Sequence, residues 1–274
     1  MRIQLGLALL LCSCGTIPSA LNEPFIMEAA GKTVRFSEVD WAPLNPARGA
    51  KGPRAGALWG DRTGAGPSGF LVAFVDGFES PPHIHNVSYR GVVLDGLVHN
   101  DDPNADEMWM PKGSYWTQPK GAVHITAGRG LPCLTYIEIE EGPYLVQPVE
   151  EAFESGEAPI NVAPSNLVWL EQPHGSFSGV EVAYLWGEPR GNSGCGALYR
   201  LPAGFAGTMQ CEGTSFRAVV IQGQVQLEAP GADEGPRLDP GSFFSSRGAS
   251  PVGLACGGEV QLYVRSQGGV MVTQ

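Results

Sequence analysis

The chain has 274 residues and is acidic, with 28 Asp and Glu against 17 Lys and Arg and a formal net charge of −11 at pH 7. A field of this sign does not attract nucleic acid or anionic membrane surfaces, so neither is expected as a partner. The 38 Gly and 23 Pro supply frequent turns, which disfavours an α/β fold and favours short strands.

The N-terminal segment has the pattern of an export signal. Residues 1–11 are apolar apart from Arg2 and Gln4, and the run is too short to span a bilayer as a finished helix. The sequence Leu11-Cys12-Ser13-Cys14 resembles the bacterial lipoprotein signal, and this resemblance implies cleavage before Cys14 and lipidation of its thiol. A secretory signal cut near Ala20 is the alternative. Both predict export, and the first predicts a cell-envelope protein anchored to a membrane by its lipid alone.

Short alternating runs of β-branched and aromatic residues predict strands across the rest of the chain. Phe70–Asp76 and Thr135–Glu141 are examples. No long stretch shows helical periodicity, and one or two turns near Glu150–Ser155 are the best helical candidate. The predicted fold class is therefore all-β, built as jelly rolls or sandwiches.

Three of the five histidines stand at spacings suited to one metal ion. His83 and His85 are two residues apart, so on an extended strand both imidazoles leave the same face. His124 follows a Pro119-Lys120-Gly121 turn that can return the chain to the same place. His83, His85 and His124 are therefore the candidate metal ligands.

The segments that carry these histidines resemble the two motifs of the cupin superfamily. The first motif runs from Gly77 through His83-Ile84-His85 to Gly96, and the second runs from Gly113 through Pro119-Lys120-Gly121 to His124. The resemblance implies an antiparallel jelly roll with one divalent transition metal in its mouth, and the sequence leaves Fe, Zn, Mn, Ni and Cu open. A degenerate cupin that binds no metal is the alternative.

Tyr89 stands where cupins have a metal-binding Glu, and Gly128 stands where they have an Asn. By the resemblance, the Tyr89 side chain enters the pocket, where its hydroxyl would ligate the metal, hydrogen-bond a bound substrate or act as an acid–base group. Tyr89 is therefore the candidate catalytic residue. The alternative is that its ring only fills space.

An internal repeat indicates two copies of one domain. Ser88–Gly96 returns as Ser215–Gly223, and the same offset relates Trp59 to Trp186. We therefore predict a bicupin of two tandem cupin jelly-roll domains. Its parts are a signal peptide and tether at residues 1–20, an N-terminal cupin domain with the metal site at 21–145, and a C-terminal cupin domain at 146–274.

The second copy is predicted to lack metal ligands. Gln210, Glu212 and Val252 replace the three histidines, and Phe216 replaces Tyr89. An amide and a carboxylate alone make a poor transition-metal site. Phe216 also favours the packing alternative for Tyr89, because the fold accepts an aromatic ring there without a hydroxyl.

Four cysteines follow Cys14, namely Cys133, Cys195, Cys211 and Cys256. An even number in an exported protein permits disulfides without specifying them. A bridge between Cys211 and Cys256 is disfavoured, because strand parity directs the two side chains to opposite faces.

The candidate site supports two kinds of function. A three-histidine metal with open positions would serve an enzyme acting on a small organic molecule, either an oxidoreductase of the dioxygenase type or a lyase or isomerase. The alternative is a non-catalytic lipoprotein that binds metal or a small ligand. The intact ligand set with an open coordination position favours the enzyme, whereas the replaced Glu and the second copy without ligands support the alternative. The sequence leaves a homodimer open.

Overall fold

The computed structural model describes residues 31–172, 179–189, 191, 193–228, 235–248 and 250–273. The predicted signal, its Cys14 and the tether to residue 20 lie outside these residues. Within the described part, no helix is long and apolar enough to cross a membrane. Helical structure there consists of four short 3-10 segments, at Phe36–Glu38, Pro46–Lys51, Val149–Glu151 and Pro164–Asn166.

Strands make up nearly all the regular structure, which confirms the all-β fold class. Numbered in chain order, the described strands are β1 Thr33–Val34, β2 Trp41–Pro43, β3 Arg54–Trp59, β4 Ser68–Phe74, β5 Phe78–Glu79, β6 Ile84–His85, β7 Tyr89–Asp101, β8 Met110–Pro111, β9 Tyr115–Gln118, β10 Ile125–Ile139, β11 Val146–Gln147, β12 Ile160–Val162, β13 Leu170–Glu171, β14 Glu181–Gly187, β15 Cys195–Leu201, β16 Ala206–Cys211, β17 Ser215–Gln222, β18 Val225–Leu227, β19 Arg237–Leu238, β20 Phe243–Arg247, β21 Val252–Ala255, β22 Val260–Gln267 and β23 Val270–Thr273.

The described strands pair in antiparallel sheets. A nine-stranded sheet has the order β12-β9-β7-β10-β4-β3-β2, with β5 on β10 and β8 on β7, and the pair β11-β6 lies beside it. A seven-stranded sheet has the order β1-β20-β17-β22-β15-β14-β13, and a five-stranded sheet has the order β19-β18-β21-β16-β23. The antiparallel pairing of short strands is that expected of jelly rolls.

The strand registers repeat at the offset found in the sequence. Phe74 pairs with Cys133 across β4 and β10, and Leu201 pairs with Val260 across β15 and β22. Each equivalent residue lies 127 positions further along. A contact between a glycine and an indole ring also repeats: a Cβ at Gly69 would overlap the Trp59 ring, and a Cβ at Gly196 would overlap the Trp186 ring.

The strands form a first group, β2–β11, and a second group, β13–β23, and each group also pairs with one short strand from elsewhere in the chain. β12 follows the first group in the chain but pairs with β9, placing Asn161 opposite Trp116. β1 precedes the first group but pairs with β20 of the second, placing Thr33 opposite Phe244. The two exchanges are equivalent at the same offset. The domain limits 21–145 and 146–274 remain a prediction. With these limits, β1 lies in the first domain but pairs with a strand of the second, and β12 lies in the second domain but pairs with a strand of the first.

A buried polar cluster joins the two groups of strands. The carboxylate of Glu138, 1% exposed, accepts hydrogen bonds from the hydroxyls of Tyr136 (3.1 Å) and Tyr263 (2.7 Å). The Arg265 guanidinium lies 3.6 Å from Glu138 and binds Glu140 through two nitrogens, at 3.0 and 2.6 Å. Tyr136 and Tyr263 occupy equivalent positions of the repeat, and so do Glu138 and Arg265. The ion pair therefore joins the two residues, one acidic and one basic, that stand at the same position in the two copies.

The four described cysteines are buried free thiols. Cys211 Sγ donates to the Gln267 carbonyl at 3.4 Å, and Cys256 Sγ donates to the Pro202 carbonyl at 3.4 Å. The disfavoured bridge between Cys211 and Cys256 is accordingly not formed. Burial raises the pKa of both thiols, so neither is an activated nucleophile.

Candidate metal centre

The three candidate ligands lie close together because the segment that contains His83 and His85 pairs in antiparallel fashion with the segment that contains His124. His83 and His124 are opposite each other in an isolated antiparallel bridge, with backbone hydrogen bonds of 3.0 Å in both directions. His85 ends β6, two residues on, and therefore faces the same side as His83. The turn before His124 contains Gly121 at a φ of 76°, a left-handed conformation that favours glycine, and its N–H donates to the His85 carbonyl at 2.9 Å.

The imidazoles form a tight and buried cluster. Nitrogen atoms of His83, His85 and His124 all lie within 4.8 Å of one another. The ring centroids are 4.3 Å apart for His83 and His124, and 5.1 Å apart for each of the other two pairs. Three donors at this separation can share one ion, because metal–imidazole bonds of about 2 Å place the donor atoms roughly 3 to 4 Å apart.

Hydrogen bonds to backbone carbonyls fix which nitrogen of each ring is free. Nδ1 of His83 donates to Pro81 at 2.9 Å, Nδ1 of His85 donates to Leu145 at 2.8 Å, and Nδ1 of His124 approaches Ala122 at 3.2 Å. A carbonyl oxygen only accepts, so each Nδ1 carries the proton and each Nε2 keeps its lone pair. This is the outer support that metal-binding histidines generally have.

Burial keeps the three imidazoles neutral. It lowers the pKa of His124 to about 3 and that of His85 well below its usual value, with the neighbouring imidazoles adding to both effects. Burial likewise lowers the pKa of His83. Nε2 of His124 is buried without a hydrogen-bond partner, and an unpaired buried acceptor of this kind is costly unless a ligand satisfies it. The donor set therefore fits a divalent transition metal.

Tyr89 lines the same cavity, but its hydroxyl is held by other groups. Its ring centroid is 5.2 Å from that of His85, whereas the hydroxyl donates to Asn100 Oδ1 at 2.8 Å. Asn100 Oδ1 also accepts from Thr126 at 2.8 Å, and Asn100 Nδ2 donates to Gln118 at 2.9 Å. Burial raises the pKa of Tyr89, so the phenol stays protonated. The catalytic role of Tyr89 remains a prediction.

Tyr144 is a site residue that the sequence did not reveal. Its ring stacks on His85 with centroids 4.4 Å apart, and its hydroxyl lies 3.1 Å from His85 Nε2. Because His85 Nδ1 carries the proton, the Tyr144 hydroxyl donates to Nε2. This phenol is therefore close enough to the donor atom to contact other groups bound to the same ion. It arrives on the turn after β10, and no spacing in the sequence relates it to the histidines.

We expect Tyr144→Phe to weaken metal affinity by about 10- to 100-fold, the usual effect of losing a polar group that supports a metal site. Tyr89→Phe should have a smaller effect on affinity, because its hydroxyl is bound to Asn100 and the Asn100 oxygen keeps Thr126. Competition against a chelating indicator measures both. Tighter binding by Tyr144→Phe would show that the hydroxyl only competes with the ion for His85. An equal loss of affinity in Tyr89→Phe would show that the Tyr89 hydroxyl also supports metal binding.

A small cavity of about 110 Å³ opens beside His83 and His85. Its wall is mainly apolar and aromatic, and its lining includes Val72, Phe74, Phe78, Trp116, Ile137 and Tyr144. Among the polar residues of the lining is Arg48, from the 3-10 segment Pro46–Lys51. A histidine cluster next to a concave apolar space is the usual arrangement of a small-molecule site.

The second group of strands presents different residues at the equivalent place. β16 pairs with β21 so that Met209 lies opposite Val252, as His83 lies opposite His124. Met209 and Cys211 are fully buried in an apolar core, whereas Gln210 is partly exposed and Glu212 is exposed. The prediction that Gln210 and Glu212 occupy the positions of His83 and His85 was thus wrong by one residue, because Met209 and Cys211 occupy them. Among the described residues the only metal-type cluster is that of His83, His85 and His124.

A further histidine, His99, lies outside the metal-type cluster. It lies within β7, is 3% exposed, and its Nδ1 is 3.3 Å from the Met108 carbonyl. Its ring packs 5.8 Å from that of Trp109. The residue is therefore a buried strand histidine outside the cluster.

Fold and site together define a cupin-fold protein with a three-histidine cluster. The chain belongs to the family described as domain of unknown function DUF4437, whose model matches residues 32–273. No functionally curated protein matches it.

Solved structures share the fold at low sequence identity. A candidate dioxygenase from Nostoc punctiforme has a TM-score of 0.67 at 16% identity, covering 90% of this chain and 87% of that one. HEPD from Streptomyces albus, with 2-hydroxyethylphosphonate and Fe(II) bound, has a TM-score of 0.59 at 9% identity, with coverages of 88% and 76%. Oxalate decarboxylase from Lactobacillus farciminis, in a formate complex, has 0.58 at 9% identity, with coverages of 90% and 89%. These similarities confirm the cupin jelly-roll fold.

Proposed function

We propose that this protein is a metal-dependent enzyme of the dioxygenase type that acts on a small organic molecule. One observation carries the proposal: three neutral imidazoles bring their possible ligand nitrogens within 4.8 Å of one another beside a small apolar cavity. Their Nδ1 atoms are all held by backbone carbonyls, so the ligand geometry is set before any ion arrives.

The donor set favours chemistry that needs open coordination positions. Three neutral ligands leave the full charge of a divalent ion uncompensated, and none of the described residues that line the cavity is a carboxylate. Bound there, Fe(II) or a related ion would supply Lewis-acid and redox chemistry at positions shared by substrate and O₂. Among the similar structures, one is a candidate dioxygenase and another contains Fe(II), which supports this class. A third is an oxalate decarboxylase, so O₂ uptake, and not structural similarity, has to separate a dioxygenase from a lyase.

The protein's own residues have three tasks in such a reaction. The carbonyl-bound histidines hold the ligand geometry, and the apolar wall formed by residues such as Phe74 and Ile137 excludes water from the reacting atoms. The Tyr144 hydroxyl, 3.1 Å from His85 Nε2, can donate a hydrogen bond to an oxygen atom held beside that histidine. Burial raises its pKa well above the usual value, so it acts as a donor and not as a base.

The test is O₂ uptake by protein loaded anaerobically with Fe(II), Mn(II), Ni(II), Cu(II) or Zn(II) and offered a panel of small organic acids, alcohols and phenols. The expected result is substrate-dependent uptake with a redox-active ion, and none with Zn(II). Stoichiometric metal binding without turnover of any compound would favour the non-catalytic alternative, a metal- or ligand-binding cupin. Absence of metal binding would refute both.

We further propose that the protein is exported and lipidated at Cys14 and that its two strand groups correspond to two cupin domains. The Leu11-Cys12-Ser13-Cys14 pattern supports the first part. The repeated strand registers support the second.

In bacteria that express the full chain, Cys14→Ser should abolish labelling by a radiolabelled fatty acid and release the protein from the membrane fraction. Cys12→Ser is the matched control and should leave labelling and fractionation unchanged. Wild-type protein that carries no acyl chain, or whose mature N-terminus lies beyond Cys14, would contradict lipidation.

A further inference from the structure

Arg48 is a cation placed inside the candidate substrate cavity. It belongs to the 3-10 segment Pro46–Lys51 and lines the cavity together with His83 and Phe78. Its guanidinium carbon lies 5.5 Å from the centre of the Phe78 ring. Its charge is close enough to His83 to add to the lowering of that pKa, after the larger effect of burial. Arg48 therefore lines the same space as two histidines of the cluster, His83 and His85.

Arg48 has no carboxylate partner among the described residues, whereas five other arginines of this acidic protein do. Carboxylates lie within 4.0 Å of the guanidinium groups of Arg35, Arg90, Arg129, Arg200 and Arg265. The described residues that line this cavity with Arg48 include no Asp or Glu. A partly buried guanidinium with an unfilled set of donors is a site for an anion, because its planar fork matches a carboxylate.

We infer that Arg48 binds the carboxylate of a small organic acid whose apolar body fills the cavity and whose far end faces the histidines. This inference rests on the proposed function and names its substrate class. The apolar wall of Val72, Phe74 and Ile137 offers no polar partner to the body of the acid. A neutral compound would leave the guanidinium without an anionic partner. A cationic compound would be repelled by it.

The size of the cavity restricts the acid. Its volume is about 110 Å³, whereas an apolar cavity of roughly 150 Å³ holds one benzene molecule. A short or branched aliphatic acid therefore fits, and a multi-ring acid does not. Isobutyrate is a suitable probe, because isobutyramide has nearly the same shape without the charge.

The experiment compares the affinities for isobutyrate and isobutyramide, by ligand-observed NMR, in metal-free and Zn(II)-loaded protein. Wild type should prefer the acid by about 10- to 100-fold, the range expected for hydrogen bonds to a charged group. Arg48→Gln should remove that preference in both forms, and Arg48→Lys should keep part of it. Lys51→Gln is the matched control: it removes an exposed cation from the same segment and should leave the preference intact. Thermal unfolding verifies that each variant is folded.

The outcomes separate this inference from the proposed enzyme. An acid preference that persists in Arg48→Gln only when Zn(II) is present would show that the ion binds the carboxylate, and would overturn the role of Arg48. Wild-type protein with no preference for the acid would overturn it as well. A preference that depends on Arg48 in metal-free protein, in a chain that shows no turnover with any metal, would sustain the acid site and reject the enzyme.

Discussion

Replacing His124 by alanine is expected to lower metal affinity by more than about 100-fold, since loss of even a supporting residue typically costs 10- to 100-fold. His124 is 1% exposed and its Nε2 has no partner within the described part of the protein. Its removal leaves two imidazoles, His83 and His85, to hold the ion. Competition with a chelating indicator gives the affinity, and elemental analysis gives the amount bound.

The matched control for this change is another buried histidine, His99. His99 is 3% exposed but lies outside the cluster, so His99→Gln should bind one ion with nearly wild-type affinity. The metal-free His124→Ala protein should still unfold cooperatively, which separates loss of a ligand from loss of the fold. Unchanged affinity in His124→Ala would mean that the ion binds elsewhere.

The second large effect is expected for Arg265→Met, at about 3–5 kcal/mol of lost unfolding free energy, the range for removing one partner of a buried ion pair. Glu138, 1% exposed, would keep its two tyrosine hydroxyls but lose the cation 3.6 Å away. Arg90, at 3.8 Å from Glu138, compensates only in part. Urea unfolding of metal-free protein measures the change.

Two further variants test the cause of this loss. Arg200 pairs with Glu181 where both side chains are about one-third exposed, so Arg200→Met should cost about 1 kcal/mol or less. Adding Glu138→Gln to Arg265→Met removes the uncompensated charge and should recover much of the stability. An Arg265→Met protein as stable as Arg200→Met would show that the cluster does not hold the two strand groups together.

The sequence predicted the fold class and the histidine cluster because both depend on local patterns. His83 and His85 share a strand face by alternation, and the Gly121 turn brings back His124. The repeat was visible because its offset is constant over the paired strands β4–β10 and β15–β22.

The remaining features depend on contacts that no local pattern encodes. Tyr144 reaches His85 across 59 residues of chain, and Arg48 reaches the cavity from an irregular 3-10 segment. The constant offset of the repeat also predicted the wrong equivalent of His83. It places Gln210 at that position, whereas in the β16–β21 pairing the buried residue is Met209. A one-residue difference of this kind exchanges the two faces of a strand.

X-ray absorption spectroscopy of the Zn(II)-loaded wild-type protein tests the central claim most directly. One ion per chain should show three imidazole nitrogens at roughly 2.0–2.1 Å, the usual zinc–nitrogen distance, with light atoms completing the shell. A sulfur neighbour at roughly 2.3 Å, or a shell with fewer than two imidazoles, would contradict a centre built from His83, His85 and His124.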